Sequence, residues 1–421
     1  MTTVVIVVNL SKHIALIEAP YYFPDDEGRT NVVHPKSVNE LCAFFESNSA
    51  TKTYIVCDTL EVLEYACTNT NADIYATVYE NQIHGKNFDS RCLQNYEIAS
   101  YSQAKFADDL QSKYRHITFS YGRDHEEHHF LNLLKDILEN GNKRDDRTCV
   151  GTISVFSRQL RFDISRSLPV LTTKFVPWKM VLKELLWFLR GETDSKTLEA
   201  QGVHIWKGNS TREFLDNRKL YHYRDGDIGP MYGFAWRHWG SSYEGCDANY
   251  SGEGFDQIAE LIKGLKSDPF SRRHLLTTFN PADVEKSALA PCHGVATMFY
   301  VEHDKSGESK GRLSCHVVCR SSDTFLGLSF NIASYAMLAC IIAKKCDMKA
   351  NELIVSTGDT HIYNTHIEQV NLQLLNRSPL PFPVLEISDA VRDKAFEDIT
   401  MEDFEVVGYI HHPTIKAPMA V

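Results

Sequence analysis

Short apolar runs alternate with amphipathic segments along the first hundred residues of the chain. The runs are rich in β-branched or aromatic residues and predict buried strands: Thr3–Val8, Asn31–Val33, Tyr54–Cys57 and Ala72–Val78. Between them, Val38–Phe45 and Leu60–Cys67 carry apolar side chains at helical spacing, and Ser37 precedes the first as an N-cap. Because strands and helices alternate, residues 1–103 are predicted to form a small α/β domain.

Polar and charged residues mix between positions 104 and 124, and this stretch is predicted to be a linker. His125–Glu139 then places its apolar side chains on one stripe, as in an amphipathic helix. Two later segments, Trp178–Arg190 and Phe330–Lys345, are strongly apolar and predict buried helices. These features predict a second, larger domain over residues 125–421.

Strand patterns in the larger domain fall at several places. Thr152–Phe156 and Leu160–Ile164 predict two strands, and Glu352–Tyr363 predicts a later strand and turn. Met298–Glu302 and Leu313–Val318 predict a hairpin with a polar loop between them. The larger domain is therefore predicted to combine strands with buried helices.

Composition narrows the class of protein. The chain has 421 residues, of which 43% are hydrophobic, enough for a sizeable core. The net charge of −11 argues against a general nucleic-acid-binding surface. Eleven cysteines without paired spacing indicate reduced thiols in a cytoplasmic setting and no metal site. The apolar start is short and lacks basic residues, so we expect a strand there rather than a signal peptide, and no stretch reaches transmembrane length.

Cys292 is the strongest candidate for chemistry. Pro291 fixes the backbone before it and His293 follows it, while the Arg272–Arg273 pair and Arg320 flank it in sequence. A cysteine acts as a nucleophile only as the thiolate, which nearby positive charge favours. A buried inert cysteine is the commoner fate of a single thiol, so this motif alone does not establish a site.

Eight blocks in a fixed order resemble the thymidylate synthase family: Arg147-Thr148, Thr172-Thr173-Lys174, Glu184–Phe188, Gly229–Gly233, Ser271-Arg272-Arg273, Ala290–His293, Phe330–Tyr335 and Gly358–Tyr363. The resemblance covers residues 125–421 and implies an α+β fold, in which a mixed sheet packs on a long buried helix. It implies that Cys292 adds to C6 of dUMP and that C5 then attacks 5,10-methylenetetrahydrofolate. The folate supplies both the carbon and the hydride, so the implied products are dTMP and dihydrofolate.

The resemblance also implies a set of binding residues. Those that hold the phosphate are Arg147, Arg272, Arg273, Arg320 and Ser321. In the family the tandem arginines reach across from the other subunit, which implies a homodimer with two composite sites. His361 and Tyr363 are implied to bind the sugar, while Asn331 reads the uracil edge, because an amide both donates and accepts.

Further roles follow from the same blocks. Glu184 is implied to relay protons through water, since a carboxylate among apolar side chains has a raised pKa, and Tyr232 to assist proton transfer at C5. On the folate side the implied residues are Lys174, Trp206, Asp323 and the chain end at Val421.

The first hundred residues resemble the later half of dihydrofolate reductase, in the order Gly28–Val33, Tyr54–Leu63 and Asp73–Tyr79. That family carries a Gly-Gly pair where this chain has Cys57-Asp58, and a Cβ there obstructs close approach of the cofactor. The segment between Val8 and Arg29 is also too short for the acidic folate-binding helix. We therefore expect a remnant without reductase activity; the alternative is an unrelated α/β extension.

Three positions depart from the usual synthase pattern. The strand after His293 is one residue longer, with Met298 where Gln is usual, and this predicts a bulge or a flipped face. Cys319 replaces a Gln and Ser329 replaces a Pro. These changes leave two alternatives open: a dUMP hydroxymethylase that hydrates the methylene intermediate, and a non-catalytic folate- or RNA-binding regulator.

Overall fold

The computed structural model describes residues 3–11, 15–16, 32–47, 52–57, 60–69, 72–79, 86–87, 90–107, 112–121, 125–146 and 149–419. Arg147 and Val421, both expected in the site, lie outside these ranges, as do Asp58 and residues 17–31.

Within the described residues, nine strands form the first sheet: β1 (Thr3–Ser11), β2 (Ala15–Leu16), β3 (Val32–Val33), β4 (Lys52–Val56), β5 (Asp73–Tyr79), β6 (Lys86–Asn87), β7 (Tyr96–Tyr101), β8 (Lys105–Ala107) and β9 (Ser112–Tyr121). The main order is β3-β4-β1-β5-β9-β7. Strands β3, β4, β1 and β5 are parallel, with α1 (Val38–Ser47) and α2 (Leu60–Asn69) between them in sequence. The Ser37 hydroxyl accepts from Glu40 N at 3.3 Å, so it caps α1 as predicted.

The prediction of a linker over residues 104–124 is wrong. Strand β9 lies inside the sheet, antiparallel to both β5 and β7, and β8 pairs with it. Ile117 and Phe119 are almost fully buried in this strand. Apolar residues alternate along β9, and alternation of period two indicates a strand. The charged residues around them favour a loop when composition alone is considered.

Six further strands form a mixed second sheet: β10 (Asn142–Arg144), β11 (Thr152–Asp163), β12 (Leu275–Leu276), β13 (Ala296–Glu302), β14 (Arg312–Asp323) and β15 (Lys349–Tyr363). The order is β10-β11-β15-β14-β13-β12, and only β14 and β15 pair in parallel among these described strands. A separate hairpin joins β16 (Val384–Ile387) and β17 (Phe404–Val407). The predicted β13–β14 hairpin is confirmed.

The helices of the larger domain are α3 (Glu127–Asn140), α4 (Trp178–Leu189), α5 (Ser195–Glu199), α6 (Arg212–Asn217), α7 (Gly233–Arg237), α8 (Gln257–Ser267), α9 (Gly327–Lys345) and α10 (Ile367–Asn376). Helix α9 packs against β14, β15 and α4, so apolar side chains surround it on all sides. By length and composition it could cross a membrane, yet 72% of it is buried inside the protein, as in a core helix.

The first two strands predicted for the larger domain form a single strand in the structure. Thr152–Phe156 and Leu160–Ile164 belong to one continuous strand, β11, with Ser157 at φ 58° near its middle. Strand β13 pairs with β14 in unbroken register from Ala296 to Glu302, with Ala296 opposite Val318. Directly before it, Val295 N also donates to the Val318 carbonyl at 3.1 Å and Gly294 has φ 66°, so the chain is irregular after His293, where the bulge is predicted. The neighbouring strand β12 also pairs regularly with β13.

Candidate active site

The loop before β13 presents Cys292 beside a guanidinium. Arg320, near the end of β14, donates from Nε to the carbonyl of Pro291 and from Nη2 to that of Ala290, both at 2.8 Å. Its Nη2 also lies 3.5 Å from Cys292 Sγ. One side chain therefore fixes the loop and places positive charge next to the sulfur, which stabilises a thiolate by Coulomb attraction.

A glycine on the adjacent strand permits this arrangement. Gly358 of β15 faces the Arg320 backbone, and a Cβ at that position would lie 2.5 Å from the Arg320 carbonyl oxygen. The close approach of β14 and β15 therefore requires the missing side chain. This explains in physical terms why the Gly358–Tyr363 block begins with glycine.

Tyr232 lies beneath the cysteine. Its hydroxyl accepts from Cys292 N at 2.9 Å, and its backbone adopts φ 42°, an unusual value for a non-glycine residue. The ring stacks on His293 with a centroid separation of 4.4 Å and on Phe188 at 4.9 Å. Burial holds the pKa of Tyr232 well above its ordinary value, so the phenol remains protonated and can donate.

Glu184 faces the same place from the buried side of α4. Trp206 Nε1 donates to its carboxylate at 2.8 Å, and Trp206 also lies against the Tyr232 ring. Burial raises the pKa of Glu184 to about 7, although the Trp206 hydrogen bond opposes the shift. A carboxyl group that titrates near neutral pH can both accept and return a proton, as a relay requires.

This shift predicts a pH-dependent stability difference between the wild type and Glu184→Gln. The folded-state pKa of about 7 lies above the ordinary value of 4.5, so the native state retains a proton that the unfolded chain releases between these values. The contribution of this proton to the free energy of unfolding is fully present below pH 4.5 and is lost as pH rises through 7. From pH 5 to pH 8 the wild type should lose on the order of 2 kcal/mol relative to Glu184→Gln.

Urea unfolding at both pH values measures this difference. Glu139→Gln, which removes an exposed carboxylate of α3, is the matched control and should show little change relative to the wild type. If the difference in free energy of unfolding between the wild type and Glu184→Gln were the same at both pH values, Glu184 would be ionised in the native protein.

Asn331 lies on the first turns of α9. Tyr335, one turn later on the same face, makes a 2.9 Å hydrogen bond between its hydroxyl and His293 Nδ1. Because His293 follows Cys292 directly, the face that carries Asn331 and Tyr335 looks onto the cysteine loop. Burial lowers the pKa of His293 to about 3, so the imidazole is neutral.

The carboxyl ends of β14 and β15 bring four further predicted residues together: Ser321, Asp323, His361 and Tyr363. Ser321 pairs with Asp359, and Asp323 pairs with His361 in the parallel register. His361 Nδ1 lies 3.0 Å from Asp359 Oδ1, and its ring packs edge-on against Tyr363. Asp323 accepts from Phe325 N at 3.1 Å, so it also orders the turn that leads into α9.

Sequence reasoning missed a buried carboxylate that fixes the Thr172-Thr173-Lys174 block. Glu127, with no exposed surface, accepts from the backbone N–H and the hydroxyl of both threonines. It lies three residues before Phe130 on α3, so the helical period could have placed it on the apolar stripe. Lys174 itself lies inside the protein and donates to the Phe325 carbonyl; burial lowers its pKa to about 7.

The tandem arginines are not part of this cluster. Arg272 and Arg273 are exposed in the turn before β12. Arg273 lines a different cavity of about 250 Å³, and the lining contains none of the residues around Cys292. Within one chain, the described structure therefore leaves the two arginines outside the cysteine site.

The departures from the family pattern have local explanations. Burial raises the pKa of Cys319 to about 12, so it remains a neutral thiol behind Cys292. Ser329 donates to the Leu326 carbonyl at 2.9 Å and closes the first turn of α9. Met298 is half-buried and pairs with Leu275 and His316 on neighbouring strands.

In the described ranges, no group of three or more His, Cys, Asp or Glu residues is arranged to hold a metal ion.

Comparisons with known proteins agree with the geometry. The family model described as thymidylate synthase matches residues 128–421. A bifunctional dihydrofolate reductase-thymidylate synthase of Paramecium tetraurelia is 40% identical over 420 residues, covering 93% of this chain and 87% of that protein. A thymidylate synthase of human herpesvirus 8 is 47% identical over 297 residues, and the alignment covers 70% of this chain and 85% of the viral protein.

Plant relatives are longer than this chain. A putative bifunctional dihydrofolate reductase-thymidylate synthase of Oryza sativa is 45% identical over 297 residues, and the aligned region is 58% of its length. The chain thus spans most of the Paramecium protein but little more than half of the plant one.

Proposed function

The chain belongs to the thymidylate synthase family, and on that premise we propose that it converts dUMP and 5,10-methylenetetrahydrofolate to dTMP and dihydrofolate. The observation that carries the proposal is Cys292 Sγ at 3.5 Å from the Arg320 guanidinium, with Tyr232 and Glu184 at the same place. A thiol, a cation, a phenol and a carboxyl group that titrates near neutrality are the groups that this chemistry needs.

The reaction begins with addition of the Cys292 thiolate to C6 of the uracil. The electron pair moves to C5, which attacks the methylene carbon of the folate. The C5 proton is then removed with the help of Tyr232, and elimination of tetrahydrofolate leaves an exocyclic methylene. Hydride transfer from tetrahydrofolate completes the methyl group and expels the thiolate. Glu184, reached through water, supplies and takes back protons at the pyrimidine.

Binding of dUMP is assigned by the same proposal. Arg320 and Ser321 on β14, with Arg147, Arg272 and Arg273, hold the phosphate, whose charge several guanidinium groups offset. His361 and Tyr363 hold the sugar hydroxyl. On the folate side, Trp206 and Asp323 contact the ring system, while Lys174 and the chain end at Val421 close over the tail.

Two copies are required if Arg272 and Arg273 serve the site. The uncovered face of the second sheet is the surface that we propose for the second copy. One row of paired residues crosses this face: Leu275, Met298, His316, Ile354 and Arg161. Phe156 and Tyr300 add exposed apolar surface, at 78% and 66% of their areas. Arg273 lies two residues before Leu275, at the edge of this face. We therefore propose a two-fold homodimer in which each copy lends its arginines to the other.

Base choice should depend on Asn331. Changing it by Asn331→Asp is expected to move the preference from dUMP toward dCMP, since a protonated carboxyl donates to N3 and accepts from the cytosine amine. The ratio of kcat/KM for dUMP to that for dCMP should fall by about 100-fold or more. Asn364→Asp, at an exposed amide beyond β15, is the control. Unchanged selectivity would remove Asn331 from base recognition.

A single turnover assay tests the function as a whole. The protein is given dUMP and methylenetetrahydrofolate, and the mass of the nucleotide and the oxidation state of the folate are recorded. A methylated product with dihydrofolate is the expected result. A hydroxymethyl product with tetrahydrofolate would identify a dUMP hydroxymethylase. Absence of tritium release from C5-labelled dUMP would indicate a non-catalytic binding protein.

For the first sheet and its helices we propose a reductase-like remnant without activity. Cys57, fully buried at the end of β4, occupies the place where the reductase family has glycine. A side chain there blocks the backbone approach that a nicotinamide cofactor needs. The full-length protein should therefore show no NADPH oxidation that depends on dihydrofolate, in a preparation that forms dTMP. Addition of an active reductase controls for the assay, and dihydrofolate-dependent oxidation by the protein alone would show a working domain.

A further inference from the structure

The hydrophobic core of the first unit, residues 3–121, contains two side chains from the larger domain. Leu380 and Ile410 are 0% and 1% exposed, and both belong to the cluster formed by Ile117, Phe119 and the other buried residues of the first sheet. The two polypeptide regions therefore share one core at this boundary. A truncation at His125 would leave both side chains in water.

The backbone at Gly408 is fitted closely to the first unit. Its φ is 74°, and a Cβ there would lie 2.6 Å from Ile98 Cδ1 and 3.1 Å from Ile117 Cδ1. Two polar contacts border this apolar surface: Tyr101 donates to Glu386 at 2.7 Å, and Arg115 pairs with Glu405. Because this contact leaves no space for a methyl group, we expect a displacement of the first unit to move the Gly408 segment as well.

The same segments of the larger domain hold the Thr172 loop. Leu380 N donates to the Thr172 hydroxyl at 2.8 Å, and His412 N donates to the Thr172 carbonyl at 2.7 Å. The Tyr409 hydroxyl donates to the Leu171 carbonyl and accepts from Val176 N. Leu380 is itself in the first unit's core, and Tyr409 and His412 lie within two residues of Ile410. The Thr172 loop is therefore held by the same segments that contribute to the core of the first unit.

The loop continues to the turn before α9. Lys174 donates to the Phe325 carbonyl, and its ammonium group lies 4.0 Å from the centre of the Phe325 ring. Phe325 N in turn donates to the Asp323 carboxylate. An unbroken series of direct contacts thus runs from Ile98 and Ile117 to Asp323. The Cys292 loop and Arg320 are held by a separate set of contacts.

We propose that the first unit is a positioning domain for the folate half of the site. It holds Leu380 and the Gly408–His412 segment, these hold Thr172, and Thr172 sets the position of Lys174 and Asp323. The inference rests on the proposed function, in which Lys174 and Asp323 face the folate. Its residues are positioning residues, since none of them contacts either substrate.

The test is a kinetic comparison of full-length variants. Ile98→Ala removes the methyl groups that contact Gly408. We expect its KM for methylenetetrahydrofolate to rise roughly fivefold, while kcat and the Kd for dUMP stay within about twofold of the wild type. Ile98→Val, which removes only the Cδ1 methyl group nearest Gly408, should raise the KM by less than Ile98→Ala.

Val62→Ala is the matched control, because Val62 is fully buried in the same core but lies on α2. It loses comparable packing without loosening the Gly408 contact, so its folate KM should stay normal. Tyr101→Phe removes only the hydrogen bond to Glu386 and should raise the folate KM about twofold. This variant keeps the test valid if Ile98→Ala does not fold.

Equal effects of Ile98→Ala and Val62→Ala would overturn the inference, as would a normal folate KM in both Ile98→Ala and Tyr101→Phe. Parallel loss of dUMP affinity would also overturn it, since the effect would then be general. These outcomes differ from a failure of the proposed function, in which the wild type itself would form no dTMP.

Discussion

Cys292→Ser should lower the rate of dTMP formation by about 10⁴-fold or more, because an alcohol is far less ionised and less nucleophilic than a thiol. The loss should appear equally in tritium release from C5-labelled dUMP, since C5 becomes reactive only after addition at C6. Binding of dUMP should remain measurable by calorimetry, because the side chains that we propose for the phosphate and base contacts are left unchanged. Arg320 also holds the loop through two backbone carbonyls, so the site should keep its shape.

Cys149→Ser is the matched control for this experiment. Cys149 is an exposed thiol before β11 and should tolerate the change with nearly normal turnover. A near-normal rate in Cys292→Ser would show that another group attacks the pyrimidine. Loss of dUMP binding together with turnover would instead show that the serine disturbs the loop.

The second large effect is recovery of activity from two inactive proteins. Arg273→Ala and Cys292→Ala homodimers should both be inactive, because each lacks one necessary group at both sites. In a mixed dimer, the Arg273→Ala subunit keeps its own Cys292 and receives Arg273 from its neighbour. One site is then complete and the other lacks both groups, so each mixed dimer should regain about half of the wild-type activity.

Subunit exchange must be shown independently, for example by energy transfer between labelled subunits. Mixing Cys292→Ala with unlabelled Cys292→Ser is the negative control, because no arrangement of these subunits supplies the thiol. No recovery after proven exchange would place Arg273 in its own subunit's site, and the exposed position before β12 would then need another explanation.

Local sequence determined much of this protein. The parallel strands and helices of the first sheet, the β13–β14 hairpin and the apolar helix α9 all follow from side-chain period, because that period is fixed by backbone geometry. Cys292 could be selected as the nucleophile from the ordered blocks around it. Glu184 could be selected because a carboxylate within an apolar helix face is costly unless its pKa changes.

Only the tertiary structure decided how these pieces combine. The mixed charges of residues 104–124 predict a linker, whereas in the structure Arg115 of β9 pairs with Glu405, 290 residues away. The four hydrogen bonds of Glu127 to Thr172 and Thr173, and the place of Ile410 in the first unit's core, also join distant segments. Such contacts depend on which surfaces pack together after folding, and side-chain period and composition do not specify that packing.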